Sequence, residues 1–119
     1  MPSVMLAEDD MTMVTLLQTL LGMEGYQVIA LTVDDDVFEA ARKDRPDVLL
    51  LDVHLHQANG LDVLDQVRKD NEIGDLKVVM TSGLNLELEC KNHGADDFLL
   101  KPYMPDDLLK ILKRNISQS

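Results

Sequence analysis

A short apolar run that ends in a carboxylate constrains the fold of this chain most. Val48–Leu51 are four consecutive aliphatic residues, and Asp52 follows them directly. The run is too short for a buried helix and lacks the alternation of a strand with one wet face, so it predicts a strand covered on both sides, as in a parallel sheet. Turn-forming residues precede it at Pro46 and follow it at Gly60. Asp52 is therefore predicted at the carboxyl end of the strand, where open α/β sheets hold their ligands.

Similar apolar runs alternate with helical patterns along the rest of the chain. Strands are predicted at Val4–Ala7, Tyr26–Leu31, Val48–Leu51, Val78–Thr81 and Phe98–Leu100. The first helix is predicted over Met11–Met23, with Leu16 among its apolar positions. The second begins with Asp34–Asp36 as an acidic first turn and buries Val37, Phe38, Ala40 and Ala41. The others are predicted over about Leu61–Lys69, within Leu84–His93 as a short helix, and over Pro105–Ile116. The alternation predicts an α/β fold with a parallel sheet and helices on both faces. With no repeat or linker-like segment, residues 1–119 are predicted to form one domain.

The charge balance of the chain restricts its partners. The 119 residues include 11 Lys and Arg against 22 Asp and Glu, a formal net charge of −11. Such a surface repels DNA and anionic lipid, so direct nucleic-acid or membrane binding is disfavoured, while a cation site or a basic partner is compatible with it. The single cysteine, Cys90, cannot form an intrachain disulfide and fits a reducing compartment. Because no membrane span or signal peptide is recognisable, a cytoplasmic protein is predicted.

Polar side chains follow four of the five predicted strands. Glu8 and Asp9 follow the first strand, and Asp52, Ser82 and Lys101 follow the third, fourth and fifth. Because the carboxyl ends of parallel strands meet at one rim of the sheet, these groups are predicted to lie together. Taken singly, each is an ordinary cap, turn or strand exit. Their joint occurrence is what indicates a site.

The composition of this rim suits a divalent cation and a phosphoryl group. Three adjacent carboxylates repel one another unless one is protonated or a cation lies between them. Carboxylate oxygens are hard ligands that suit Mg²⁺, which also binds phosphate oxygens. We therefore predict phosphoryl transfer to a carboxylate, with Asp52 as the nucleophile, a bound Mg²⁺ and Lys101 as a second positive group.

Several short motifs accompany these residues. They are Glu8-Asp9, Gly25-Tyr26, Pro46-Asp47 before the apolar strand, Asp52 followed by Gly60, Ser82-Gly83, Gly94-Ala95 and Lys101-Pro102. With this set, the chain resembles the receiver domains of two-component response regulators from about Val4 to Ile116. The resemblance implies a flavodoxin-like (βα)5 fold, a doubly wound parallel five-stranded sheet of strand order 2-1-3-4-5.

The resemblance also implies how phosphoryl transfer would take place. Asp52 would be the phosphoacceptor for a sensor histidine kinase or a histidine phosphotransfer protein. Asp9, Asp52 and the backbone carbonyl of His54 would bind Mg²⁺ directly, and Glu8 would act through water. Such a receiver catalyses only its own phosphoryl transfer and dephosphorylation, so it is not expected to be an enzyme that acts on other substrates.

Further roles implied by the resemblance concern the response to phosphorylation. Ser82 would provide the signalling hydroxyl, Lys101 would pair with the phosphoryl group, and Phe98 would be the aromatic switch residue. The face formed by the fourth helix, fifth strand and fifth helix would then change for a downstream protein or a fused output domain. The Lys101-Pro102 peptide bond is expected to be cis.

The chain departs from the family pattern at a few positions. His56 stands where proline is usual, so the loop after Asp52 is expected to be less rigid, and Phe98 replaces the commoner tyrosine. The segment between Ser82 and Gly94 is shorter than usual, which puts a regular fourth helix in question. Apolar Leu84, two residues past Ser82, is expected to make the phosphoryl group last longer than in receivers that have an acid or an amide at this position.

Other functions remain open at this stage. One is a degenerate receiver that binds proteins without being phosphorylated. Another is an aspartate-nucleophile phosphatase, but its nucleophile would follow the first strand rather than the third. A nucleotide or flavin carrier is disfavoured because no phosphate-binding glycine loop is present. His54 and His56 alone supply too few ligands for a transition metal.

Overall fold

The computed structural model describes residues 1–116 and contains one five-stranded parallel sheet. The strands are β1 (Ser3–Ala7), β2 (Gln27–Ala30), β3 (Val48–Asp52), β4 (Lys77–Ser82) and β5 (Asp97–Leu100). The helices are α1 (Met11–Met23), α2 (Val37–Asp44), α3 (Gly60–Lys69), α4 (Glu87–Asn92) and α5 (Pro105–Ile116). The strand order β2-β1-β3-β4-β5 confirms the predicted flavodoxin-like α/β fold.

Residues 117–119 of the predicted domain lie outside the described residues. No helix within residues 1–116 has the length and apolarity needed to cross a bilayer.

Strand β3 lies in the middle of the sheet and contributes to both hydrophobic cores. Leu49 and Leu51 belong to the core beneath α2, α3 and α4, whereas Val48 and Leu50 belong to the core beneath α1 and α5. All four side chains are at most 5% exposed. Full burial of an aliphatic side chain stabilises a fold by about 1.5–3 kcal/mol. The unbroken apolar run therefore reflects a strand whose two faces are both covered.

Two predicted details of the helices are wrong. Leu16 is 59% exposed, because the buried positions of α1 are Val14, Leu17 and Leu21. The acidic residues predicted as the first turn of α2 precede it, and Asp36 is its N-cap. Its carboxylate accepts a hydrogen bond of 3.0 Å from the Glu39 backbone N–H. Aspartate is favoured at an N-cap because it satisfies a helix donor that has no partner within the helix.

The predicted short fourth helix is confirmed. Helix α4 has six residues, and its N-cap Leu86 makes no side-chain capping hydrogen bond. Cys90 is fully buried, whereas Leu88 is 74% exposed. Gly94 has a φ of +102°, which allows the chain to leave the helix and turn into β5. One buried apolar side chain therefore anchors α4 to the core.

Gly60 lies where α3 begins against the end of β3. A Cβ at this position would lie 2.3 Å from the backbone oxygen of Asp52 and 2.8 Å from Val53 Cα. We expect Gly60→Ala to lower the free energy of unfolding by about 1–3 kcal/mol, because backbone must shift to admit the methyl group. Urea denaturation measures this change. The matched control is Gly22→Ala in α1, where a Cβ has no neighbour within 4 Å. The control should be stabilised by about 0.5–1 kcal/mol, and equal losses in both variants would contradict the steric argument.

Candidate functional site

The strand register brings the predicted site residues to one rim of the sheet. Glu8 and Asp9 directly follow β1, Asp52 is the last residue of β3, and Ser82 is the last of β4. Lys101 follows β5, and its backbone N–H donates a hydrogen bond of 2.8 Å to the carbonyl of Ser82. The expectation that these groups share one end of the sheet is confirmed by this arrangement.

The Lys101 ammonium group lies between two of the carboxylates. Its Nζ donates to Asp52 Oδ2 at 2.8 Å and also to Glu8 Oε1. The side chains of Glu8 and Asp52 are each 10% exposed. Removing charged groups from water is costly unless they are paired, so the lysine compensates for the burial of both acids.

The pKa directions in the site follow from this contact. Burial raises the pKa of Glu8, the bond from Lys101 opposes that rise, and the neighbouring Asp52 carboxylate adds to it. Burial alone would lower the pKa of Lys101, but its hydrogen bonds to Asp52 and Glu8 reverse the direction, so the pKa is raised. Lys101 is therefore a cation at neutral pH and keeps a positive charge beside Asp52.

Three backbone N–H groups fix the loop that follows Asp52 by donating hydrogen bonds to two carboxylates and one carbonyl. The His54 N–H donates to Asp52 Oδ1 at 3.1 Å, and the Gly60 N–H donates to the Val53 carbonyl at 2.7 Å. The His56 N–H donates to Asp9 Oδ2. Proline, the usual residue of the family at this position, has no N–H to donate. His56 thus ties the loop to the acid pair, a contact that its sequence position alone does not indicate.

Ser82 at the end of β4 and Phe98 in β5 are the remaining residues with predicted roles in the response to phosphorylation. Ser82 is fully buried, and its Oγ accepts a hydrogen bond of 3.0 Å from the Leu84 N–H. Within residues 1–116, no hydrogen bond joins that hydroxyl to Asp52 or Lys101. Phe98 is half-buried and packs on the core beneath α2, α3 and α4. The Lys101-Pro102 peptide bond is cis, as predicted.

Tyr103 is a residue of this region that sequence reasoning missed. Burial raises the pKa of its phenol to about 12, the charge of Lys101 lowers it, and the charges of Glu8 and Asp52 raise it. Tyr103 lies two residues beyond Lys101, and its ring packs on the core beneath α1 and α5. The signal in the sequence is its position directly after the Lys101-Pro102 motif.

The donor chemistry of the rim suits Mg²⁺. Glu8, Asp9 and Asp52 offer hard carboxylate oxygens, and the backbone carbonyl of His54 is another oxygen donor nearby in the chain. Glu8 and Asp52 are bonded to Lys101 in this conformation. Among the described residues, no three His, Cys, Asp or Glu side chains stand in a metal-binding arrangement. The residue types on this rim fit the ion.

Comparison with known proteins identifies the class to which this fold and site belong. Residues 4–113 match the family described as the response regulator receiver domain. The chain therefore belongs to the receiver domain family of response regulators. It is 32% identical to the transcriptional regulatory protein CpxR of Klebsiella pneumoniae, over 100% of this chain and 51% of CpxR. It is 30% identical to the protein PilH of Pseudomonas aeruginosa, over 94% of this chain and 95% of PilH.

A solved structure supports the same assignment. The receiver domain of the sensor histidine kinase PA1611 from Pseudomonas aeruginosa superposes with a TM-score of 0.85 and 25% identity, covering 98% of each chain. That structure has a magnesium ion coordinated in its active-site cleft. The chain described here spans about half the length of the transcriptional regulators that it matches.

Proposed function

We propose that this receiver accepts a phosphoryl group on Asp52 from the phosphohistidine of a sensor histidine kinase or a histidine phosphotransfer protein. The observation that carries the proposal is the 2.8 Å hydrogen bond between Lys101 Nζ and Asp52 Oδ2. It joins a cation from the end of β5 to the carboxylate at the end of β3. A buried carboxylate beside a positive group is suited to attack a negatively charged phosphoryl group.

The transfer exchanges one bond to phosphorus for another. An Asp52 carboxylate oxygen bonds to phosphorus while the phosphorus–nitrogen bond of the phosphohistidine breaks. The imidazole leaves with the electron pair and is protonated by solvent, and Asp52 becomes an acyl phosphate. Lys101 exchanges its contact with Asp52 Oδ2 for one with a phosphoryl oxygen, so its charge stabilises the product.

Glu8, Asp9, Asp52 and the backbone carbonyl of His54 would hold Mg²⁺, with Glu8 acting through water. When bound, the ion supplies charge that neutralises the oxygens of the transferring group. Support comes from the hard oxygen donors on this rim and from the magnesium ion in the related PA1611 receiver. The His56 N–H, which bonds to Asp9, keeps that carboxylate beside the loop that follows Asp52.

Phosphorylation is proposed to change the face formed by α4, β5 and α5. Ser82 Oγ would give up the Leu84 N–H and donate to a phosphoryl oxygen, and Phe98 would move into the space that becomes available. A downstream protein or a fused output domain would bind the altered face. The protein would act in the cytoplasm as a signalling switch, catalysing only its own phosphoryl transfer and dephosphorylation, with no direct contact with nucleic acid or membrane.

A second candidate function is a binding module that works without phosphorylation. The observation that favours it is the short α4, which has six residues and no side-chain cap at its N-terminus. Such a helix offers little surface for a phosphorylation-dependent change. Reaction with a small phosphodonor separates the two functions, because only the switch takes up a phosphoryl group.

Removal of divalent metal tests the proposed chemistry. We expect the protein to gain the mass of one phosphoryl group when incubated with phosphoramidate and Mg²⁺, and to react at least about a hundredfold more slowly in EDTA, because the metal-supplied charge is lost. Intact-mass spectrometry over time measures both rates. Addition of excess Mg²⁺ to the EDTA sample should restore the reaction. Absence of uptake with Mg²⁺ would favour the phosphorylation-independent module.

Leu84 is predicted to lengthen the life of the phosphoryl group. Leu84 is 61% exposed and lies two residues beyond Ser82. The resemblance to receivers implies that the residue at this position lines the approach of hydrolytic water. We expect Leu84→Glu to shorten the lifetime about three- to tenfold, because a carboxylate orients water where an apolar side chain does not. Decay of the phosphorylated mass after removal of the donor measures the lifetime. Leu88→Glu, at a leucine of α4 that is 74% exposed, is the control, and an unchanged lifetime in Leu84→Glu would contradict the prediction.

A further inference from the structure

A second concave region lies beside the phosphoacceptor site on the same rim. It is a cleft of about 310 Å³ between the β2–α2 loop and the β3–α3 loop. Glu8 and Asp9 form its border with the site around Asp52, which the chemistry above uses. The rest of the cleft has no role in that chemistry. Its volume is at the lower end of the range for ligand sites, which suits one or two side chains rather than a large cofactor.

The cleft combines an apolar floor with an acidic mouth. The apolar lining consists of Ala7, Leu31, Val33, Val37, Leu55, Ala58 and Val63. The buried members Ala7, Leu31, Val37 and Val63 form the floor. Asp34, Asp35 and Asp36 lie along the β2–α2 loop at the mouth, and none of the described lining residues is Lys or Arg. The negative charge of this mouth is therefore not balanced by a basic residue of the lining.

The three aspartates differ in whether their carboxylates already accept hydrogen bonds from the chain. Asp35 accepts the Thr32 N–H at 2.7 Å, and Asp36 caps α2. Asp34, by contrast, has no hydrogen bond or ion pair with any residue in 1–116. Val33, beside it, is 42% exposed. The mouth thus presents one unengaged carboxylate and one exposed apolar side chain next to each other.

We propose that this cleft binds a segment of a partner protein in which an apolar side chain is flanked by lysine or arginine. The apolar side chain would enter the cleft and contact its floor, and the flanking cations would lie near Asp34 and Val33 at the mouth. The choice of occupant follows from charge complementarity, because the mouth is acidic and the chain carries a net charge of −11. This binding does not require a phosphoryl group on Asp52. The proposed docking site can therefore be tested separately from the proposed phosphoryl transfer.

The test is an NMR titration of the unphosphorylated protein in the absence of Mg²⁺. The probe is the peptide acetyl-Gly-Lys-Leu-Leu-Arg-Gly-amide, and the comparison probes are the same peptide with serine for both leucines and the polyamine spermidine. We expect the leucine peptide to shift the backbone amides of residues 31–37 and 55–58 in a saturable way. The other two probes should bind these residues more weakly, because neither fills the apolar floor.

Two substitutions and a matched control locate the interaction. Asp34→Asn is expected to weaken peptide binding about two- to fivefold, as an exposed ion pair would, and Val33→Arg should weaken it at least as much by placing a cation at the mouth. Asp106→Asn removes one charge from the exposed first turn of α5 and should leave the affinity unchanged.

Several outcomes would overturn the proposal. Equal binding of spermidine would mean that a small polycation, and not an apolar protein segment, occupies the cleft. Equal weakening by Asp106→Asn would mean that only overall charge matters. Shifts centred on the face formed by α4, β5 and α5, or no binding at all, would exclude this cleft as the docking site.

Discussion

Asp52→Ala is expected to slow phosphoryl uptake from phosphoramidate by more than about a thousandfold, because it removes the proposed nucleophile. Alanine has no oxygen to bond to phosphorus. Asp52 is 8% exposed at the end of β3 and is bonded to Lys101. Intact-mass spectrometry with Mg²⁺ present follows the reaction over time. The variant should remain folded, since Lys101 keeps Glu8 as an ionic partner.

The control for this prediction is Asp75→Ala. Asp75 is an exposed aspartate whose side chain has no hydrogen bond or ion pair within residues 1–116, and its loss should leave the uptake rate unchanged. Circular dichroism of both variants checks the fold. If Asp52→Ala reacted at the parent rate, peptide mapping would assign the phosphoryl group to another residue, and the proposed role of Asp52 would be wrong.

Arg68→Ala is expected to lower the free energy of unfolding by about 3–5 kcal/mol, because it breaks a partly buried charged network. Arg68 donates to the carbonyls of Gly94, Gly74 and Leu76 at 2.7–3.0 Å and to Asp96 Oδ2 at 2.9 Å. It thereby joins α3 to the loops that precede β4 and β5. Its removal leaves three carbonyls and one carboxylate without this donor. Urea denaturation measures the loss.

The matched control is Arg45→Ala. Arg45 forms an ion pair with Glu72, but both side chains are more than half exposed, at 56% and 51%. Exposed pairs of this kind contribute about 0–1 kcal/mol. Arg68→Lys keeps the charge with fewer donors and should give an intermediate stability. Similar stabilities for the Arg68→Ala and Arg45→Ala variants would show that the network contributes little.

The strands and helices could be predicted where buried residues recur in the sequence with the period of a strand or a helix. The apolar run of β3 indicated a strand covered on both faces, and the structure confirms it. Leu16 was misassigned because an apolar residue next to Leu17 fits a helical pattern even when it points to solvent. Asp34–Asp36 were misassigned because an acidic first turn and an acidic N-cap region have the same composition. Local composition does not separate these pairs of possibilities.

The site was predictable where it follows from topology and not where it follows from individual contacts. Parallel strands bring Glu8, Asp52 and Lys101 to one rim whatever the details of packing. The bond from His56 N–H to Asp9 depends on the path of a loop, and a substitution for proline gave no indication of it. The network of Arg68 could not be predicted, because its partners lie 6 to 28 residues away in the sequence.

The central position of β3 has a consequence for how such a protein can change over evolutionary time. Strand β3, which ends in Asp52, packs against an aliphatic core on each face. Because both cores are closely packed, its backbone cannot shift without repacking one of them. A new specificity is therefore more readily acquired in the surrounding loops than by relocating the proposed acceptor, Asp52. Substitutions in the loops around Asp52 are expected to be tolerated better than substitutions within β3, which Leu49→Ala and Leu50→Ala would show by a lower free energy of unfolding.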